Sequence, residues 1–130
     1  AVVNVRVAIG QSVESVVERM KAVIDDPLVE LCVLLPGEPS PVSELSGPRF
    51  DALSATIAEL YPDAVVAPYV VMGGTDARHY ARVSSTVYRF SPFELSKAER
   101  ASMHAVNERL PVASLAKGVE FYLRLIRRVG

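Results

Sequence analysis

The sequence predicts an α/β chain with α+β character, in which a strand–helix–strand unit precedes a three-layer segment of alternating helices and strands. Three observations carry this expectation. Val2, Val3, Val5, Val7 and Ile9 form a β-branched run stopped by Gly10, the composition of a strand with its stop signal. Apolar residues then recur at steps of three and four, the period of a helix with one buried face. Four prolines between Pro36 and Pro48, mixed with Gly37, Ser40, Ser43, Ser46 and Gly47, mark a change of composition that reads as a linker.

Taken in order, Ser12 is placed to cap a helix whose inner face is Val13, Val16, Val17, Met20, Val23 and Ile24, ended by Asp25, Asp26 and Pro27. Leu28 to Leu35 is a second strand-type run with Cys32 in its middle. Residues 1–36 thus form one unit, residues 37–48 a linker, and residues 49–130 a second segment. In that segment Phe50, Leu53, Ile57 and Leu60 predict a helix over 49–61. Ala64 to Met72 reads as a buried strand, interrupted by Pro68. A short helix near 77–83, a brief strand at 86–90 and a last helix over 112–129 follow, the last with Leu115, Val119, Tyr122, Leu123 and Ile126 inward.

Composition removes several classes of function. At 130 residues the chain has room for about one domain. Half of it is apolar and its mean hydropathy is +0.25, against the signature of disorder. Fourteen basic residues against fifteen acidic ones give a net charge of −1, so neither a nucleic acid nor an anionic membrane surface is an expected partner. A single cysteine permits no internal disulfide and no thiolate cluster; it also suggests a reducing, cytoplasmic location. No apolar run is long enough to span a bilayer. The first residues already read as a core strand, without an initiator methionine, which points to a processed or truncated chain.

Chemistry has few places to sit. Gly73, Gly74, Thr75 and Asp76 follow directly on a predicted buried strand, where glycine lets a ligand approach backbone N–H groups and where ligands of open α/β sheets collect. The same four residues also make an ordinary strand-to-helix turn. His104, between Met103 and Ala105, offers a neutral imidazole for a metal or a proton, or a structural hydrogen bond. His79 beside Tyr80 is expected to pack or face solvent. A catalytic zinc needs about three protein ligands, yet the chain holds no HxH, HxxxH, HExxH or CxxC spacing, no GxSxG elbow and no Walker-type loop.

Two separated stretches say more. GGTDARHYARVSSTVYRFSP over 73–92, with HAVNERLPVASL over 104–115, resembles the C-terminal end of the zinc metallopeptidase family that includes carboxypeptidase S, the aminoacylases, the dipeptidases and succinyl-diaminopimelate desuccinylase. The TDARHY and YRFSP wording is most similar to the carboxypeptidase S and N-acyl amino acid hydrolase branch. VNVRVAIG over 3–10 resembles the second half of that family's lid, or dimerisation, domain.

The resemblance implies roles position by position. His104 matches the histidine that closes the two-zinc site. Gly74 and Thr75 match a turn that contacts substrate near the scissile amide, and Arg78 a basic residue of the same motif that braces the loop through Asp76. Asn4 matches a lid asparagine that helps to bind the substrate carboxylate, with Arg6 as another residue able to do so. The family's general-base glutamate and its other metal ligands belong to an N-terminal segment with no counterpart here. The resemblance therefore implies residues 1–36 as half a lid and residues 49–130 as the end of a catalytic domain. It implies zinc in the parent protein but no tightly bound zinc in this chain, a peptide or N-acyl amino acid as the parent's substrate, and an inactive isolated chain. The alternative is a non-catalytic dimerisation or binding module. In either case the exposed strand edge of residues 1–36 suggests a homo-oligomer.

Overall fold

A computed structural model describes all residues except 38–39 and 72–73. It contains five helices among the described residues: α1 (Val13–Ile24), α2 (Pro48–Leu60), α3 (Ala77–Tyr80), α4 (Lys97–Ala101) and α5 (Val112–Val129). No strand occurs among them, which overturns the α/β expectation. The runs at 1–9, 28–35, 64–71 and 86–90 have the composition of strands, but a strand exists only when a neighbour accepts and donates its backbone hydrogen bonds, and no such ladder forms among the described residues. The strand edge expected to pair two copies is therefore absent among them as well. Cys32, expected in mid-strand as a small core residue, is exposed.

The chain divides into two compact units, one of Ala1–Ser43 with Val71–Val87, the other of Glu44–Val70 with Tyr88–Gly130. The first unit holds α1 and α3. Helix α1 starts where the sequence places it: the Ser12 hydroxyl accepts from the Ser15 N–H at 3.2 Å, and the Ser15 hydroxyl accepts in return from the Ser12 N–H at 3.1 Å. This reciprocal cap satisfies two donors that a helix start leaves open. The helix ends at Asp25, whose φ of 45° is left-handed. Val13, Val16, Val17 and Met20 are half-buried and no residue of α1 is fully buried. Elsewhere in this unit the Ser43 hydroxyl accepts from the Val87 N–H at 2.8 Å and donates to the Val87 carbonyl at 3.1 Å. One side chain thus serves both backbone groups that a strand partner would have served.

The second unit contains the core. Helix α2 opens with Pro48 at its first turn, where a missing N–H costs nothing, and α5 packs against it. Leu53 and Ile57 of α2 meet Phe121 of α5, with Leu60, Tyr61, Tyr88 and Leu125 partly buried around them. Phe121 is 1% exposed and lies 5.0 Å, centroid to centroid, from Phe90. The face of α5 turned inward is Ser114, Gly118, Phe121 and Leu125. Leu115, Val119, Tyr122, Leu123 and Ile126, expected inward, are exposed. The small residues Ser114 and Gly118 explain the choice, because they leave room for neighbouring groups to approach the helix closely. The Phe93 ring fills the space over Gly118.

Polar groups tie the same two helices. Arg128 of α5 donates to the buried Thr56 hydroxyl at 2.7 Å and to the Glu59 carboxylate, while Arg124 reaches Glu59 at 3.4 Å. The Arg128 hydrogen bond, more than any other influence, holds the Glu59 carboxyl below the usual glutamate range. A carboxyl depressed in the folded state stabilises above its unfolded pKa and loses that contribution as pH falls through the folded value. Urea unfolding between pH 7 and pH 3 should therefore show a falling midpoint on the acid side, and Glu59→Gln should flatten that limb. An unchanged acid limb in the variant would show that Glu59 is not responsible.

Helix α4 lies outside the elements expected from apolar spacing, although its signal is in the sequence. Ser96 and Glu99 form a capping box, the Ser96 hydroxyl accepting from the Glu99 N–H at 3.2 Å and the Glu99 carboxylate from the Ser96 N–H at 2.7 Å. The S-x-x-E spacing predicts such a start. No helix among the described residues is long and apolar enough to cross a membrane.

Candidate functional site

Asn4, Gly74, Thr75 and Arg78 belong to the first unit, and His104 to the second. Gly73 lies outside the described residues, as does Met72 at the end of the expected strand. Gly74 and Thr75 are exposed and precede α3 directly. Thr75 and Asp76 present their carbonyls to the N–H groups of Arg78 and His79, at 3.3 and 2.8 Å, so the turn is built from local backbone bonds. A methyl added at Gly74 would meet nothing within 4 Å among the described residues, so crowding does not require glycine at that position.

Arg78 lies in α3, where its Nε donates to Nε2 of His79 at 3.2 Å. Among the described residues it makes no ion pair with the Asp76 carboxylate. Asn4 is exposed in the irregular segment before α1. Three of the candidate residues are thus brought together by sequence proximity alone, in and beside one short turn of helix.

His104 follows α4 in a tight loop. Its φ of 64° is left-handed, as is the 68° of Asn107, a conformation that costs a non-glycine residue about 1–2 kcal/mol. The loop is closed by the Glu108 carboxylate, which accepts from the His104 backbone N–H at 3.0 Å, and by Ala105 N–H on the Ser102 carbonyl at 3.0 Å. The imidazole itself is exposed and has no hydrogen-bond partner among the described residues. Its ring is thereby left open to an external ligand, while the backbone beneath it is held.

The donor set does not complete a zinc site. Among the described residues no group of three or more His, Cys, Asp and Glu side chains is close enough to hold a metal ion. Glu108, the acid tied to His104, is engaged with its backbone. One imidazole on a braced loop fits a contribution to a metal site, and it does not fit a site by itself.

Residues 5–128 match the model of peptidase family M20/M25/M40, and the chain belongs to that family. It is 34% identical over 128 residues to the probable carboxypeptidase S-like 2 of Dictyostelium discoideum, covering 98% of this chain and 25% of that protein. It is 36% identical over 128 residues to the N-fatty-acyl-amino acid synthase/hydrolase PM20D1 of Xenopus tropicalis, with the same two coverages. To the carboxypeptidase S of Saccharomyces cerevisiae it is 28% identical over 110 residues, 78% of this chain and 19% of the yeast protein. The chain spans about a quarter of the length of the curated relatives it matches first. No solved structure matches it significantly.

Proposed function

We propose that this chain forms the C-terminal part of a zinc-dependent amidohydrolase, which cleaves the amide bond of a peptide or an N-acyl amino acid beside a free carboxylate. The observation that carries the reading is the match of residues 5–128 to a peptidase family. The names of the relatives support the substrate class, since they are carboxypeptidase S-like proteins and N-fatty-acyl-amino acid synthase/hydrolases that align with 98% of this chain.

In this reading residues 1–36 are half of a lid, residues 37–48 a linker, and residues 49–130 the end of the catalytic domain. His104 contributes one imidazole to a metal site whose other ligands lie in the rest of the protein. Gly74 and Thr75 offer backbone groups to substrate near the scissile amide, Arg78 braces or contacts the same turn, and Asn4 binds the substrate carboxylate. A cytoplasmic location accompanies the reading and rests on the single Cys32.

By itself the chain should not hydrolyse amides, because general-base chemistry needs a positioned acceptor and a complete metal site. Incubation of the 130-residue chain with an N-fatty-acyl amino acid or a dipeptide, with and without added zinc, is expected to release no product above buffer. Turnover that follows added zinc would overturn the inactivity. In the longer protein, His104→Ala should lower both bound zinc and hydrolysis, the latter by at least ~100-fold as for loss of a metal-site group. Full zinc content in that variant would remove His104 from the metal site. A second reading, a module that associates with another copy, is favoured by one observation, the apolar face that α5 leaves uncovered.

A further inference from the structure

The loop that follows α4 turns twice. The Ala105 N–H donates to the Ser102 carbonyl at 3.0 Å and the Glu108 N–H to the Ala105 carbonyl at 3.3 Å, so two reverse turns meet at Ala105. His104 and Asn107 are the third residues of these turns, with φ of 64° and 68°. A positive φ at that position favours glycine or asparagine. Asn107 suits its turn, whereas His104 places a large ring where turn chemistry prefers a small residue.

A single side chain compensates. The His104 N–H donates to the Glu108 carboxylate at 3.0 Å, and an N–H bond to a charged acceptor is stronger than one between neutral groups. The contact spans four residues and is complete within this loop. It anchors the peptide just before the His104 Cα, and the left-handed φ then sets the direction in which Cβ leaves the backbone. Rotation of His104 to the common right-handed or extended region would turn its N–H away from Glu108 and carry the imidazole with it. The ring itself is exposed and makes no hydrogen bond among the described residues, so its placement rests on the backbone below. Metal-binding histidines are usually oriented by a partner on the second ring nitrogen; here the partner holds the main chain.

We infer that Glu108 is a positioning residue for His104: by accepting the His104 N–H it holds the left-handed backbone that presents the imidazole to a metal ion completed by the rest of the longer protein. The inference rests on the reading of His104 as a metal ligand given above. Glu108 acts through the backbone of His104 and not on the metal, so what matters is an acceptor at its Oε2 position and not its charge.

Zinc affinity of the longer protein, measured by competition with a chromophoric chelator, tests this. Glu108→Ala should weaken zinc binding by ~10–100-fold, the size found for partners that orient a metal ligand. Glu108→Gln should recover most of that loss, because its amide oxygen can accept the same bond. With His104→Ala already present, Glu108→Ala should cost no further affinity, since two residues that act as a unit are not additive. In the 130-residue chain, Glu108→Ala should abolish the strong amide-to-Hα cross-relaxation that a positive φ gives His104 and speed exchange of its amide, with the urea midpoint unchanged. Zinc lost in His104→Ala and fully retained in Glu108→Ala would overturn this inference and leave the metal reading standing. Zinc retained in both would overturn both. Additive losses in the double variant, or a glutamine variant as weak as the alanine one, would also overturn the positioning role.

Discussion

Phe121→Ala is expected to unfold the α2–α5 unit at room temperature. Phe121 is 1% exposed and joins Leu53 and Ile57 in a core of three buried apolar residues, with the Phe90 ring 5.0 Å and the Tyr122 ring 5.4 Å away. Truncating a buried phenylalanine costs about 3–5 kcal/mol. Small domains have only ~5–15 kcal/mol in total, and a core this small lies at the lower end. Phe121→Leu keeps most of the volume and should cost less than ~1.5 kcal/mol. Far-ultraviolet circular dichroism in urea checks both. A cooperative transition in the alanine variant with a midpoint near that of the parent would show that the packing of α5 on α2 does not depend on this ring.

The second large effect is expected at Gly118, and its sign depends on Phe93. A Cβ added at Gly118 would lie 2.2 Å from Cε1, 2.7 Å from Cδ1 and 3.1 Å from Cζ of the Phe93 ring. Helix propensity alone would make Gly118→Ala stabilising by about 1 kcal/mol, since the position is inside α5. Displacing a packed ring costs about 1–3 kcal/mol, so the variant should be less stable by up to ~2 kcal/mol. With Phe93→Ala in the background the obstacle is gone, and Gly118→Ala should then stabilise by its propensity. A double-mutant cycle read by urea unfolding measures the coupling. Additive effects would mean that the ring does not rest on Gly118.

Particular residues show what could be read before the structure. Helix α1 was legible because Ser12 and the spacing of Val13, Val16, Val17 and Met20 are local signals, satisfied within one or two turns. Helix α5 was legible over its full length for the same reason. The start of helix α4 is marked in the sequence by the Ser96–Glu99 capping spacing, but its five residues are too few to show an apolar period. The expected strands failed because β-branched composition states a preference for an extended backbone and names no partner. Ser43 serving Val87 shows how a single hydroxyl can stand in for that partner.

The candidate site divides along the same line. His104 and the Gly74–Thr75 turn were visible as residue types in a recognisable order, and the membership of residues 5–128 in a peptidase family agrees with the resemblance they carry. The braced left-handed backbone under His104 was not visible, because it depends on the Glu108 side chain turning back to accept the His104 N–H.

What the sequence alone determined was helices α1, α2 and α5, the Ser12 cap of α1 and the family to which the chain belongs, all of which rest on residues near one another or on their order. Only the tertiary structure decided that no ladder forms among the described residues and which stripe of α5 is buried. Periodicity favours the stripe of Leu115, Val119, Tyr122 and Ile126, which is apolar throughout, whereas the buried stripe holds Ser114 and Gly118. Close packing separates them, since Ser114 and Gly118 leave space for Phe93 and α2 to approach, and the larger residues of the other stripe do not.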